Sequence, residues 1–439
     1  MERAWKRRSL PWIVRWFGRR PGPDFGDEHA KPGASPHSSH QTSAPRTDVR
    51  TTAQGVWARA QNGAEAEGRN LRVLVVRQDN RLGNMVLLVP FLRSLRDALP
   101  TAHIAMVTGD EYADLVQKWP WADEWIVQPK RLHATQPWRF PGWLRRLRRG
   151  GWDIAFEMSN HNTHSYYNCV LTVASGAPCR IGFDEPRNAD ALTHAVPPPG
   201  DRVPFALAPL RLLSETGLPV TPAAPSIDLT TPPSPRFQEW RRGELGEDGY
   251  ALVHVGGRGE KAWPLESWTR LVPKMRALGG PRIVLIGGPD EIDRMRALEA
   301  EPVGVGRGDT DAQGRPELVA PPFDVGDLSH LLRGASYYLG CDTGVMHLAA
   351  SLGTPTVALF FRSNPVHYAP LGRVHKTVLL ADPYDAASRW EDAVPEMGSV
   401  ERSRLFVGPL HADRSPLGVP STEDDADPAI LAAIEDVLA

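Results

Sequence analysis

Between Tyr337 and Phe361 the chain reads YYLGCDTGVMHLAASLGTPTVALFF. A polar knot, Cys341-Asp342-Thr343-Gly344-x-x-His347, sits between two apolar runs. Burying such groups without partners costs about 1–3 kcal/mol each, so the arrangement calls for a use. Tyr337–Cys341 has the composition of a strand and Val345–Leu352 that of a short helix, stopped by Gly353 and Pro355. That puts Asp342 or Thr343 near the N-cap, while Gly344 lets another group approach the backbone. The first amides of such a helix lack internal acceptors and carry the positive end of its dipole. They form an anion site, for which a diphosphate is the natural occupant. His347, in the first turn, is placed to donate to the same ligand. The competing reading is local: Asp342 caps the helix and His347 is a satisfied core residue.

Three further stretches carry polar groups at the ends of apolar runs. HVGGRGEKAWPLESWTRL (254–271) ends a strand in Gly256-Gly257 and continues through a loop with Arg258, Lys261 and Trp263; Lys261 offers a point charge for phosphate. LIGGPDEID (285–293) places Asp290 and Glu291 after a second Gly-Gly, where they accept from ribose hydroxyls or complement a helix dipole. RQDNRLGNMVLLVP (77–90) brings Gly83 and Asn84 to the turn from a first strand into a first helix. There they face a ligand or serve as an ordinary turn glycine and N-cap. None of the three matches the dinucleotide or P-loop fingerprints, which leaves a dehydrogenase the least supported class.

The elements that must hold these groups alternate. LRVLVVRQ (71–78) is a continuous apolar run of buried parallel-strand type. HIAMVT, WADEWIVQ and the end of GWLRRLRRGGWDIAFEM supply further strands, with helical patterns between them. Residues 197–235 turn Pro-rich. A second alternating series starts at YALVHVGG (250–257) and ends in the amphipathic DPAILAAIEDVLA. The expected fold is α/β, with two Rossmann-like parallel-sheet domains facing a central cleft. The expected division is a basic segment and disordered linker over 1–70, an acceptor domain over 71–235 and a donor domain over 236–439.

The chain has 439 residues, a formal net charge of −2 and three cysteines. This length suits two domains, and the charge gives no global reason to expect nucleic acid. Cys169, Cys179 and Cys341 are too sparse for a disulfide framework, which fits a reducing compartment. Residues 1–20 carry seven Lys/Arg against one Glu, interleaved with Trp5, Trp12, Trp16 and Phe17. The apolar core of this segment is too short for a signal peptide; it reads as a peripheral anchor on anionic lipid or as a solvated tail. The basic stretch 138–149 reads as a second membrane or anionic-acceptor surface, or as a solvated helix face.

Taken in order, R-x-D-x-x-L-G-N-x-x-L-x-x-P, K-x-W-P-x-x-x-W, G-G-P-x-E and D-x-G-x-x-H-L-A-A-x-x-G-x-P resemble glycosyltransferase family 9, over roughly residues 71–385. That is the family of the ADP-heptose:lipopolysaccharide heptosyltransferases. The resemblance implies a GT-B fold and an inverting, metal-free transfer. The donor would be a nucleotide sugar, ADP-heptose by family name, and no separate cofactor is expected. It implies contact of Lys261, Thr343, Gly344 and Val345 with the donor diphosphate, shaping of that site by Asp342 and His347, and a ribose contact from Glu291. The acceptor would lie by Gly83 and His161, on a surface glycan or lipid-linked chain at the cytoplasmic membrane face. One departure stands out. The family's Gly-Asp, whose Asp is taken as the base, is here Gly83-Asn84, and an amide takes no proton at neutral pH. Asp79, His161 and His164 are the replacements at hand, with Asn84 orienting the acceptor. The departure also leaves open a weakened nucleotide-sugar-binding scaffold, and a GT-B enzyme such as an epimerase would turn over without an acceptor.

Overall fold

A computed structural model describes residues 49–380 and 426–438, apart from 80, 130–131, 161–164, 186–187, 189, 200–202, 247–248, 258–261, 301–316, 361–362, 364 and 373. The first half contributes β1 (Arg72–Val76), β2 (His103–Gly109), β3 (Glu124–Gln128), β4 (Ile154–Glu157), β5 (Cys179–Phe183) and β6 (His194–Val196). The second contributes β7 (Tyr250–His254), β8 (Arg282–Ile286), β9 (Leu318–Val319), β10 (Tyr337–Cys341), β11 (Thr356–Phe360) and β12 (His375–Leu379). The two parallel sheets run β3-β2-β1-β4-β5-β6 and β12-β11-β10-β7-β8-β9. Each half therefore repeats one topology, with its first strand beside its fourth. The chain reverses its winding between β1 and β4 and again between β7 and β10, and a crevice opens over the carboxyl ends there. The continuous apolar runs have their expected cause: Val73, Leu74, Val75 and Val76 are fully buried, because helices cover both faces of the sheet.

Order begins earlier than the sequence suggests. Residues 49–66, read as part of a disordered linker, form helix α1 (Val49–Ala66). Trp57 and Ala64 are buried, Ala60 packs beside them, and the Trp57 ring lies 6.2 Å from that of Phe156. One tryptophan and two alanines at helical spacing make a narrow stripe that docks on β6 and the short helix Leu210–Glu215. Helices α2 (Leu82–Val86) and α3 (Val89–Ala98) follow β1, with Pro90 in the first turn of α3. The basic stretch forms α4 (Phe140–Arg149), which buries Phe140, Leu144 and Leu147 and exposes Arg145, Arg146 and Arg149. Helix α5 (Tyr166–Ala174) is capped by Ser165, whose side chain accepts from Asn168 N.

In the second half, α6 (Leu265–Ala277) follows β7, α7 (Gly344–Ser351) follows β10, and α8 (Ala426–Leu438) closes the outer face of the sheet. Ile430, Ala433 and Ile434 of α8 are buried in that face. Asp427, buried at its start, accepts from Arg270 Nε at 2.9 Å and Lys274 Nζ at 2.6 Å, both on α6. The Pro-rich connection is tied to the second half: Phe205 N donates to His367 O at 3.0 Å and Ile227 N to Ser351 O at 2.9 Å. Among the described residues no helix is long and apolar enough to cross a membrane.

Candidate active site

The second half presents the helix start singled out in the sequence. Thr343 is the N-cap of α7, extended at φ −135° and ψ 167°, and its Oγ1 accepts from Met346 N at 3.4 Å. The amides of Gly344 and Val345 begin the helix without intrahelical acceptors. Buried Asp342 and His347 face each other, Oδ1 to Nε2 at 3.5 Å. The Thr343 hydroxyl also lies 3.3 Å from His254 Nδ1, at the end of β7, which is 3.1 Å from the Tyr338 hydroxyl. Burial pulls His254 down to about 4 against the opposing pull of Glu291, so the imidazole is neutral at pH 7.

Glu291 is used as a clasp. Its Oε1 accepts from Gly257 N at 3.0 Å and its Oε2 from Gly288 N at 2.7 Å, which joins the turns after β7 and β8. Gly256 leaves the room: a Cβ there would lie 2.2 Å from Glu291 Oε2. Lys261, expected in the same loop, lies outside the described residues, as does His161.

The first half builds a second polar cluster. Asn84 Nδ2 donates to Asp79 Oδ2 at 2.5 Å, and Arg77 Nη2 reaches the same oxygen at 3.3 Å. Buried Arg77 also donates to Met158 O, and to Asn160 Oδ1 at 2.9 Å. Burial draws its guanidinium below the usual range, opposed first by Asp79 and then by Glu157. Together with apolar residues, Arg77, Asn84, Ser159 and Asn160 line a small recess. Glu157, the last residue of β4, was not anticipated. It is 1% exposed, and burial pushes its carboxyl up to about 7 although Ser159 bonds it through both N–H and O–H. The available signal was a carboxylate ending the otherwise apolar strand IAFE.

The two clusters meet at two glycines. A Cβ on Gly83 would lie 2.9 Å from His347 Cδ2 and 3.3 Å from Gly344 Cα, and one on Gly344 would lie 2.9 Å from Gly83 N. Gly83, expected on the acceptor side, thus packs on Gly344, expected on the donor side. Among the described residues no group of three or more His, Cys, Asp or Glu is placed to hold a metal.

Residues 143–395, more than half of the chain, match the model of glycosyltransferase family 9 (heptosyltransferase). The chain belongs to glycosyltransferase family 9. This family-9 chain is 30% identical over 119 residues to lipopolysaccharide heptosyltransferase 1 of Escherichia coli K12, a match covering 26% of this chain and 33% of that relative. It thus spans about a third of that relative's length. It is 23% identical over 304 residues to lipopolysaccharide heptosyltransferase 3 of Escherichia coli, covering 66% and 83% of the two chains. Among solved structures, the family-9 glycosyl transferase of Veillonella parvula superposes with a TM-score of 0.63 at 19% identity, covering 84% of this chain and 97% of that one. The E. coli ADP-heptose heptosyltransferase II gives 0.59 at 17% identity, covering 84% and 98%. The shared architecture is the GT-B fold, two Rossmann-like sheets facing a cleft.

Proposed function

We propose that this family-9 chain is an inverting, metal-independent glycosyltransferase. It moves a heptose-like sugar from a nucleoside-diphosphate donor of the ADP-heptose type to a lipopolysaccharide or other surface-glycan acceptor, at the cytoplasmic face of the membrane. The observation that carries the reading is the Gly83–Gly344 contact. Through it, a capped helix start with open first-turn amides abuts a polar recess from the other half. In this reading the acceptor hydroxyl enters from the Arg77–Asn84–Asn160 side and attacks the anomeric carbon. The diphosphate leaves against the Gly344 and Val345 amides, aided by Lys261. Those dipoles point where negative charge grows, which needs no reorganisation during the step. Asp342 and His347 shape the donor pocket behind the helix start, and Glu291 holds the loops that border the ribose.

A thermal-shift series with ADP, UDP, GDP and ADP-heptose tests the reading. A donor at 100 times its Kd stabilises by about 2.7 kcal/mol, and the Thr343→Val variant should lose most of that shift. A melting point that no nucleoside diphosphate moves refutes the donor assignment. The proposed membrane contact runs through residues 1–20 and α4, beside which Trp138 is 73% exposed. Equal sedimentation of the parent and an Arg145→Glu/Arg146→Glu variant with phosphatidylglycerol vesicles would count against α4.

The scaffold reading is favoured by one observation. Asn84 stands at the position of the family base and spends its amide on Asp79. Saturable donor binding without ADP release on any acceptor would select it.

A further inference from the structure

Asn84 has no basic atom, and the Asp79 carboxylate already holds both the Asn84 amide and the Arg77 guanidinium. A different pair, a hydroxyl in the same recess with a buried carboxylate behind it, is built to receive a proton. Ser159 lines the recess beside Asn84 and Arg77. Its Oγ donates to Glu157 Oε1 at 2.5 Å and accepts from Ser165 N at 3.1 Å. A hydroxyl has one donor and two lone pairs, so one lone pair of Ser159 remains for a hydroxyl arriving in the recess. The main chain around Ser159 is fixed from three sides. Its N–H also bonds Glu157 Oε1, at 3.2 Å, while Arg77 grips Met158 O before it and Asn160 Oδ1 after it.

We propose that Ser159 takes the proton of the attacking acceptor hydroxyl and hands its own to the Glu157 carboxylate. The proposal rests on the glycosyl-transfer reading and names the base for it. The step balances. The acceptor O–H bond breaks as its oxygen bonds the anomeric carbon. The bond from that carbon to the phosphate oxygen breaks, and the nucleoside diphosphate leaves with the electron pair. The acceptor proton goes to Ser159 Oγ and the Ser159 proton to Glu157 Oε1, leaving a neutral carboxylic acid. Ser159 touches substrate and is catalytic; Glu157 acts through it and is a positioning residue.

The surroundings of Glu157 suit a carboxylate that exchanges its proton near neutrality. Arg77 at the end of β1 favours the ionised form, Glu185 after β5 opposes it, and Cys169 on α5 is a thiol kept protonated by burial. The net of these with burial places the carboxyl at about 7. Below that pH the acceptor's proton has nowhere to go.

The test is the pH profile of ADP release from ADP-heptose, with heptose-deficient lipopolysaccharide or water as acceptor. The expected parent profile rises to a plateau with a midpoint near 7. Ser159→Ala and Glu157→Gln each lower kcat by about 10²- to 10³-fold, within the usual range for losing a general base, and flatten the rising limb. KM for ADP-heptose stays within about threefold, because the pair touches the acceptor rather than the donor. Asp79→Asn keeps the limb whatever its rate. If Glu157→Gln does not fold, Ser159→Ala, which leaves the buried carboxylate in place, decides alone. The relay is overturned if Ser159→Ala retains the parent rate and limb, if the limb vanishes in Asp79→Asn instead, or if the parent binds ADP-heptose yet releases no ADP at any pH. In each of these outcomes a donor-induced thermal shift still stands. Loss of that shift in the parent overturns the transfer reading itself.

Discussion

Replacing Gly344 by Ala tests the junction of the two halves directly. The added Cβ would sit 2.9 Å from Gly83 N and 2.9 Å from Leu82 Cβ. Relaxed contacts of this kind lie at about 3.5–4.0 Å, so α2 and α7 must separate by about half an ångström to one ångström. The obstacle is main chain, which cannot swing aside as a flexible side chain would. Overpacking of this sort costs about 1–3 kcal/mol, against about 1 kcal/mol or less recovered from the better helix propensity of Ala. The expected net is a loss of up to about 2 kcal/mol in stability, and the chemistry is affected separately. A shift of about 1 Å between donor amides and acceptor recess is worth about 100-fold in rate. Gly63→Ala on α1 is the control, since nothing lies within 4 Å of its added Cβ; propensity alone should stabilise it by about 1 kcal/mol. Melting curves and ADP release from ADP-heptose are measured for both variants. If Gly344→Ala is as stable as Gly63→Ala and releases ADP at the parent rate, the two glycines do not set the spacing of the halves.

Three further outcomes are expected. Burial raises the Glu157 carboxyl from 4.5 to about 7, so across that window the folded chain holds a proton that the unfolded chain has lost. Stability therefore falls as pH rises through the window, by about 3 kcal/mol in all; the melting point of Glu157→Gln should gain on the parent's between pH 5 and pH 8, and parallel curves would refute this. Asn84→Asp sets a second carboxylate against Asp79 at a position now 2.5 Å from its Oδ2. The two should share one proton, so the variant's ADP-release profile should acquire a new titration above the ordinary carboxylate range, whereas an unaltered profile would show that the two groups separate. Trp57→Ala should cost about 3–5 kcal/mol in urea unfolding if α1 belongs to the first half; a loss under 1 kcal/mol would mean that the helix merely rests there.

The alternation of apolar runs and helical patterns made both sheets legible, because parallel strands buried on both faces leave a continuous signature, as at Val73–Val76. The start of α7 was legible to within a residue, with Asp342 or Thr343 as the cap, because strand end, cap and Gly lie within a few residues of one another; the structure makes the cap Thr343 and not Asp342. Helix α1 was not, since its buried stripe consists of one tryptophan and small residues amid polar ones. Glu157 escaped notice because its burial is imposed by the neighbouring strands β1 and β5, not by its own segment. The Gly83–Gly344 contact joins residues from opposite halves, each with a sufficient local explanation as a turn or helix-start glycine. Only the packing of α2 on α7 gives them a common reason.

The last helix has a practical bearing on work with this gene. Ile430, Ala433 and Ile434 plug the underside of the strand that leads into Asp342, and Asp427 is buttoned to α6 by two cations. A frameshift or stop codon shortly before Ala426 would spare every recognisable motif yet strip the plug from the second sheet. Such truncated alleles should behave as nulls despite looking intact in a motif search.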